Sequence, residues 1–158
     1  MACNITSGVV QDCLSAQGGI ETVYIANGKV ESYTETAGVV SAITVGAAAL
    51  TPADWFEFQT PRQVSSVSEQ ITASVEAGTV TYQQALTLIF NKLSAEKRNE
   101  IALLAQNQFL VVAAKDNNGI LWSIGLSRGA YLTTGTVSTG TAFADASQYS
   151  LTIEGLEP

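Results

Sequence analysis

The residue types that most often carry out catalysis or bind metals are scarce in this sequence. It contains no histidine, which removes the commonest general base, the commonest metal ligand and every His-containing triad. Cys3 and Cys13 lie near the N-terminus and could form a disulfide or remain two thiols. Without histidine partners, two cysteines make a poor zinc site. The sequence therefore predicts neither a cofactor nor a metal site.

The carboxylates are also poorly placed for acid–base chemistry. Glu69 and Glu76 lie in an extended, alternating segment, and their odd separation puts them on opposite faces. The segment Asp116-Asn117-Asn118-Gly119 lacks the distal glutamate of a calcium loop and is better explained as a turn. The glycines of residues 129–140 follow no phosphate-loop pattern. We therefore expect that the chain is not an enzyme.

Composition indicates what the chain can bind. Its 158 residues fit one domain, 1–158, and 46% hydrophobic residues can bury a core. Only 13% of residues are charged, against about 25% in typical globular proteins. The net charge is −7 and the seven basic residues are scattered, so tight binding to phosphates is not expected. An acidic protein could still lie beside nucleic acid if its role is to repel it.

No targeting or membrane segment is expected. The N-terminus has neither a basic region nor an apolar core of the kind that signal peptides carry. No apolar run approaches the roughly 18 residues of a membrane span. We therefore expect a protein made and used in the cytoplasm, or packaged into a particle assembled there.

The main assembly signal is a long predicted hairpin over residues 64–90. Polar residues alternate with apolar ones along both arms, with Glu69 interrupting the apolar row of the first arm, and each arm is about twice the usual strand length. A two-residue turn at Ala77-Gly78 would pair Ser74 with Thr81 and Val67 with Leu88. A three-residue loop, 76–78, would set polar rows against apolar rows and is not preferred. An ordinary antiparallel sheet with one wet face is the simpler reading of the same pattern.

Other elements follow from shorter signals. Residues 1–19 are predicted to be irregular, and residues 127–147 to be a loop with short extended pieces. Ser94 is a good N-cap for a helix over residues 94–107. Hairpins are predicted at Asn27-Gly28 and Asn118-Gly119, the second with Ala113 opposite Ile124. Further strands are predicted at 39–45, 55–59 and 149–154.

Together these elements amount to about seven or eight strands and one helix. The predicted fold class is mainly β (α+β): an antiparallel β-sandwich or barrel with one packed α-helix and a long protruding β-hairpin. Three aromatic residues before the hairpin could be core or contact a neighbouring subunit. These subunit-contact candidates are Trp55, Phe56 and Phe58.

A family resemblance rests on the stretch from Gln70 to Glu154, just over half of the chain. Its elements are Ile71-Thr72-Ala73-Ser74, Gly78-Thr79, Gln84–Leu88, Lys92-Leu93, Ile101–Ala105, Asp116–Gly119, Thr136–Gly140 and Tyr149–Ile153. Their order resembles small virion structural proteins of tailed bacteriophages, in particular those of crAss-like and related phages of Bacteroidetes. The sequence of long hairpin, helix, hairpin and terminal strand also resembles the tail tube fold.

The resemblance implies a virion subunit of a phage tail. In the tail tube fold six subunits form a ring, and their long strands join into one barrel around the channel for DNA. It implies as partners further copies of the chain in stacked rings, other tail proteins and passing DNA, and no membrane. The channel-facing candidates are Ser66, Ser68, Gln70, Thr72, Ser74, Glu76, Thr79, Thr81, Gln83 and Thr87.

Two other functions stay open. A ring protein of the head–tail junction or tail hub could share the fold with a different symmetry. A capsid decoration protein or ligand-binding β-sandwich would instead be a monomer or trimer with a ligand face built on Trp55 or Tyr131.

Overall fold

The structure, a computed structural model, describes residues 7–11, 13–37, 39–45, 48–49 and 54–158. Eleven strands and one helix lie within these residues. They are β1 (Ile20–Asn27), β2 (Val30–Thr36), β3 (Val39–Val45), β4 (Ala48–Ala49), β5 (Phe56–Phe58), β6 (Ser66–Ser74), β7 (Thr79–Asn91), α1 (Ala95–Gln106), β8 (Leu110–Asp116), β9 (Leu121–Ile124), β10 (Ala130–Ser138) and β11 (Gln148–Glu157). The prediction of a mainly β, antiparallel fold with one helix is confirmed.

The main sheet has eight strands in the order β5-β1-β8-β10-β11-β7-β6, with β9 paired to β8. Its two halves are joined by a single pair, Ala130 opposite Leu110. Side chains from both halves meet in one core, which includes Val23, Ile25, Leu88 and Ile153. A second sheet contains β2, β3 and β4.

The long hairpin has a different turn from the predicted one. Thr72 lies opposite Thr81 and Ser74 opposite Thr79, two residues from the predicted register. Val75, Glu76, Ala77 and Gly78 form a four-residue turn in which Gly78 has a φ of 63°. Glycine adopts this left-handed conformation without the steric cost that a Cβ brings. A two-residue slip keeps every side chain on its predicted face, so the assignment of faces survives the correction.

The hairpin predicted at Asn27-Gly28 is wrong. β1 pairs with β5 on one side and with β8 on the other, while β2 pairs with β3 in the second sheet. The Gly28 amide donates to the Phe109 carbonyl oxygen at 2.9 Å. Two long-range strand pairings that bury Val23 and Ile25 therefore prevail over the local turn signal.

The region from 127 to 147, predicted as a loop, contains the nine-residue strand β10. Its partner β11 extends the predicted terminal strand to Gln148–Glu157. The hairpin at Asn118-Gly119 is present, but its register differs by one, with Val112 opposite Ile124. The cause is a three-residue loop, 117–119, closed by the Asp116 amide donating to the Ile120 carbonyl oxygen at 2.9 Å.

The helix begins and ends close to its predicted limits. The Ser94 hydroxyl accepts a hydrogen bond from the Lys97 amide at 3.3 Å, as an N-cap does. Of the predicted apolar stripe, Leu104 is buried and Ile101 is half-buried, whereas Leu103 is exposed. The helix thus packs against the core through few side chains.

Candidate assembly surface

Four consecutive strands of the main sheet, β10-β11-β7-β6, present one largely polar face. Following the ladders across the sheet, Thr134 pairs with Thr152, Thr152 with Thr87, and Thr87 with Ser66. Side chains alternate between faces, so every second residue along each strand belongs to the same face. Four of these positions hold apolar or aromatic residues, Tyr131, Ala85, Ile89 and Leu156, and the others are polar. The hydroxyl and amide residues of this polar face are Ser66, Ser68, Gln70, Thr72, Ser74, Thr79, Thr81, Gln83, Thr87, Asn91, Thr134, Thr136, Ser138, Gln148, Ser150 and Thr152.

The polar face carries almost no charge. Among its strand positions, Glu154 is the one carboxylate, and no lysine or arginine is present. Its outer strands β6 and β10 are exposed at these positions, and its inner strands are mostly half-buried. A surface of this kind can form hydrogen bonds with water but offers neither a basic cluster for phosphates nor a catalytic group.

The structure places nine of the ten channel-facing candidates on the polar face. The tenth, Glu76, lies in the turn at the tip of the hairpin. The polar positions of β10 and β11 were not among the candidates. The alternation of Ser150, Thr152 and Glu154 was visible in the sequence, and it could have extended the face to β11. β10 was hidden by Gly135 and by the glycine-, serine- and threonine-rich composition of residues 127–147 around it.

Both outer strands of this four-stranded unit have open edges. β6 is the last strand of the sheet and pairs only with β7 among the described residues. On the side of β10 away from β11, the pairing recorded in the described part of the chain is Ala130 with Leu110. The remaining backbone groups of these two nine-residue strands have no strand partner in the described part of the chain, and such edges are normally covered in a native protein.

A groove of about 330 Å³ runs beside the open edge of β10, between that strand and α1. Ile101 and Ala105 of the helix form one wall, and Leu132 and Val137 of β10 form the floor. Val137 is 62% exposed, because so few side chains of α1 reach the sheet.

On the opposite side of the hairpin from the polar face, apolar side chains are exposed. Ile71 is 60% exposed and Val80 is 46% exposed. β11 ends at the pair Glu157–Tyr82, so the hairpin beyond that pair extends past its neighbour in the sheet. Two polar residues, Glu69 and Gln84, lie opposite each other on this side, and Glu69 accepts a hydrogen bond from Gln84 Nε2 at 3.0 Å.

The three aromatic subunit-contact candidates lie in different surroundings. Phe58 packs against Phe90 with a 6.0 Å distance between ring centroids and contacts the core of its own subunit. Phe56 is 56% exposed on the short edge strand β5. Trp55 is half-buried just before that strand.

The loop between β8 and β9 holds the N-terminal segment. The Gln17 amide donates to Asn118 Oδ1 at 2.7 Å, and Asn118 Nδ2 donates back to the Gln17 carbonyl at 2.7 Å. Asp116 shapes this loop by accepting hydrogen bonds from the Ile120 and Asn118 amides. Partial burial alone would raise the pKa of Asp116, but these bonds, with those from the side chains of Trp122 and Asn118, lower it overall.

A second carboxylate organises the loop between β10 and β11. Asp145 Oδ2 accepts hydrogen bonds from the amides of Ala142 and Thr141, both at 2.8 Å, and from the Thr141 hydroxyl at 2.9 Å. These bonds stabilise the charged form and lower the pKa of Asp145. Both perturbed aspartates are thus explained by their own loops.

Within the described residues, no group of three or more histidine, cysteine, aspartate or glutamate side chains could hold a metal ion. The Cys13 thiol is free and exposed, and Cys3 lies outside the described part of the chain. Among the helices described, none is long and apolar enough to cross a membrane.

The chain was compared with protein-family models, with curated proteins and with solved structures, and none of the three comparisons found a match.

Proposed function

We propose that this chain is a structural subunit of a bacteriophage tail, which oligomerises into hexameric rings or a tube around a channel for DNA. The single observation that carries the proposal is the four-stranded unit β10-β11-β7-β6. It combines a largely polar, nearly uncharged face with two long open edges. A closed ring of such units would cover every edge and turn the polar face toward one enclosed space.

The chemistry of that face suits passage of a polyanion. Serine, threonine and glutamine side chains stay hydrated and bind phosphate weakly compared with lysine and arginine. The net charge of −7 per subunit would add a negative potential in stacked rings, and DNA would be repelled rather than held. In this proposal the chain works in the virion after assembly in the host cytoplasm, with other tail proteins as partners.

The same surface is compatible with a ring at the head–tail junction or tail hub, which differs in symmetry rather than in chemistry. A capsid decoration or ligand-binding protein is the alternative from another class. Its ligand face would include Tyr131, which is 49% exposed on the polar face.

The test is light scattering combined with negative-stain imaging of the purified chain over a range of concentrations. We expect rings or tubes with an open channel, and their symmetry will separate a tube from a junction ring. A chain that stays monomeric at high concentration, even with tail-tip complexes added as an initiator, would contradict the proposal and favour the binding-domain alternative.

A further inference from the structure

We infer that β6 of one copy pairs with β10 of the next copy in one specific register, with Ser66 opposite Ser138 and Ile71 opposite Leu132. This inference rests on the proposed ring and identifies the two surfaces that close it. It is carried by four properties of the open edges: their direction, their length, the side chains they present and the strand tilt that their pairing imposes.

The directions of the strands already match. β10, β11, β7 and β6 are antiparallel at each step, so β6 runs opposite to β10. In a ring with a rotation axis along the strands, β6 therefore meets the β10 of its neighbour in the antiparallel sense, and the alternation continues through the seam. Both strands contain nine residues, and because Ala130 is already paired with Leu110, residues 131–138 are the part of β10 that can pair with β6 of the next copy.

Side-chain alternation then limits the register. A shift by an odd number of residues would place the polar face of one copy against the apolar face of the next, so only even shifts are allowed. Thr133 is an extra residue in β10, since Leu132 pairs with Ile153 and Thr134 with Thr152. Thr133 would also be unpaired in the seam.

Among the even shifts, one gives both large exposed aliphatic side chains of the two strands, Ile71 and Val137, an apolar partner. With Ser66 opposite Ser138, Val67 meets Val137 and Ile71 meets Leu132, while Ser68 meets Thr136 on the polar face. In the register that is shorter by two residues, Ser66 lies opposite Thr136. Ile71 then meets Ala130, and Val137 has no apolar partner. In the register that is longer by two residues, Ser68 lies opposite Ser138. The Glu69 carboxylate then meets Val137, which would desolvate a charge against an apolar surface.

The groove beside β10 receives the apolar side chains in this register. Val67 and Ile71 lie on the face of β6 away from the polar face, and the groove between β10 and α1 opens on that same side of the sheet. Ile71 is 60% exposed and Val137 is 62% exposed in the single subunit, so the pairing would cover the exposed apolar surface of both strands. Gly135 lies opposite Glu69, where the absence of a side chain leaves space for the carboxylate.

The register also gives a barrel of ordinary geometry. Across the four strands of one subunit, the strand pairs place Ser66 in line with Thr134. Pairing Ser66 with Ser138 of the next copy therefore shifts that copy by four residues along the strand direction. Four residues are about 13 Å along a strand and four strand spacings are about 19 Å, so the strands would tilt by about 35° from the axis. This value agrees with the roughly 35–45° tilt of β-barrels. Six copies would give about 24 strands and a backbone diameter of about 45 Å.

Disulfide trapping tests the register directly. In a Cys3→Ser, Cys13→Ser background, we would make three double variants: Ser68→Cys with Thr136→Cys, with Thr134→Cys, and with Ser138→Cys. These pairs are opposite in the proposed, the shorter and the longer register respectively. β7 and β11 separate the two positions by about 14 Å within one copy, so a disulfide must join two copies. Val67→Cys with Val137→Cys repeats the test on the apolar face, because hydrogen-bonded and non-hydrogen-bonded pairs alternate.

We expect the first double variant to give a ladder of covalently linked oligomers in denaturing, non-reducing gels, several-fold more than the two mismatched variants. A ladder from a mismatched variant would overturn the register and leave the ring intact. Rings seen by microscopy without a ladder from any variant would show that these two edges do not pair. Absence of any assembly by the cysteine-free parent would overturn both the register and the proposed function.

Discussion

The backbone amide of Ala77 donates a hydrogen bond of 3.2 Å to the hydroxyl of Ser74, and this contact closes the tip of the β6–β7 hairpin. Together with the left-handed Gly78, it forms a four-residue turn that sets the register of both strands. Every serine and threonine of the two hairpin strands lies on the polar face in this register. The turn therefore helps to position the surface on which the proposed function depends.

Two glycines with positive φ should respond very differently to alanine. A Cβ on Gly125 (φ 80°) would lie 2.3 Å from the Ala130 backbone nitrogen, whereas one on Gly78 (φ 63°) would meet nothing within 4 Å. We expect Gly78→Ala to cost about 1–2 kcal/mol of unfolding free energy from conformation alone. Gly125→Ala should cost about 3 kcal/mol or more, because the backbone must also move. Denaturant unfolding of the two variants measures the difference, and equal losses would contradict the close contact.

The alternation of polar and apolar residues predicted the face on which each side chain lies better than it predicted the residue with which each one pairs. The polar and apolar sides of β6 and β7 were predicted correctly, yet Thr81 pairs with Thr72 rather than with Ser74. A two-residue slip leaves both faces unchanged, so the pattern could not distinguish the registers. The choice depends on a local hydrogen bond to Ser74 and on the conformation of Gly78.

The remaining errors come from interactions between distant parts of the chain. Asn27-Gly28 carries a strong turn signal, but β1 pairs with β8, more than eighty residues further along. β10 contains strand-favouring residues such as Tyr131 and Val137, but Gly135 interrupts them, and the strand is established by its pairing with β11. Nine of the sixteen hydroxyl and amide residues of the polar face were therefore identified from the sequence, and the three contributed by β10 depend on tertiary pairing.

The hydrogen bonds to Asp145 predict a sensitivity to acid. Because they lower the pKa of Asp145 in the folded state, their contribution to stability is complete above the unfolded pKa, about 4. It is lost as the pH falls through the lower, folded pKa. Asp145→Asn should thus be less stable than the parent near neutral pH, and the difference should shrink below about pH 4. Denaturant unfolding from neutral pH to about pH 3 measures this.

Thr141→Val supplies the matched comparison, since it removes one of the three donors to Asp145 and keeps both backbone amides. We expect the Asp145 carboxyl, followed by NMR, to titrate at higher pH in this variant than in the parent. Identical titration curves would mean that the hydroxyl bond contributes nothing to the shift.

The exposed side chain of Ile71 should matter for assembly and little for folding. Because Ile71 is 60% exposed, Ile71→Ser should change the unfolding free energy of the monomer by no more than about 0.5 kcal/mol. In the proposed seam it contacts Leu132, so the variant should need a several-fold higher concentration to form rings. Light scattering over a dilution series gives that concentration.

Val75→Ser is the control for Ile71→Ser. Val75 is 97% exposed in the turn and lies outside the strand pairs of the seam. Val75→Ser removes a similar apolar side chain from the same hairpin but leaves the seam intact. This variant should therefore assemble at the same concentration as the parent. Equal effects from both variants would indicate general hydrophobic association in place of a specific seam.

Positive charges added to the polar face should convert a surface that does not bind DNA into one that does. Thr72 and Gln83 are exposed on the two paired strands of the hairpin, so Thr72→Lys with Gln83→Lys should leave the monomer folded. In a ring, each subunit would add two positive charges to the channel wall. We expect salt-dependent, sequence-independent DNA binding that the parent lacks, with affinity falling steeply as salt rises.

A control variant with the same added charge on another strand distinguishes an effect of the channel wall from an effect of the net charge of the protein. Ser32→Lys with Thr34→Lys adds two lysines to the exposed strand β2, which is not part of the polar face. Its net charge equals that of the channel variant, so purely global attraction would give both variants the same DNA affinity. If the channel variant instead fails to fold, its polar row is buried in the monomer and the assignment of that row to a channel is wrong. If it folds and assembles, tighter DNA binding by the channel variant than by the β2 variant is the result that places the polar face beside the DNA.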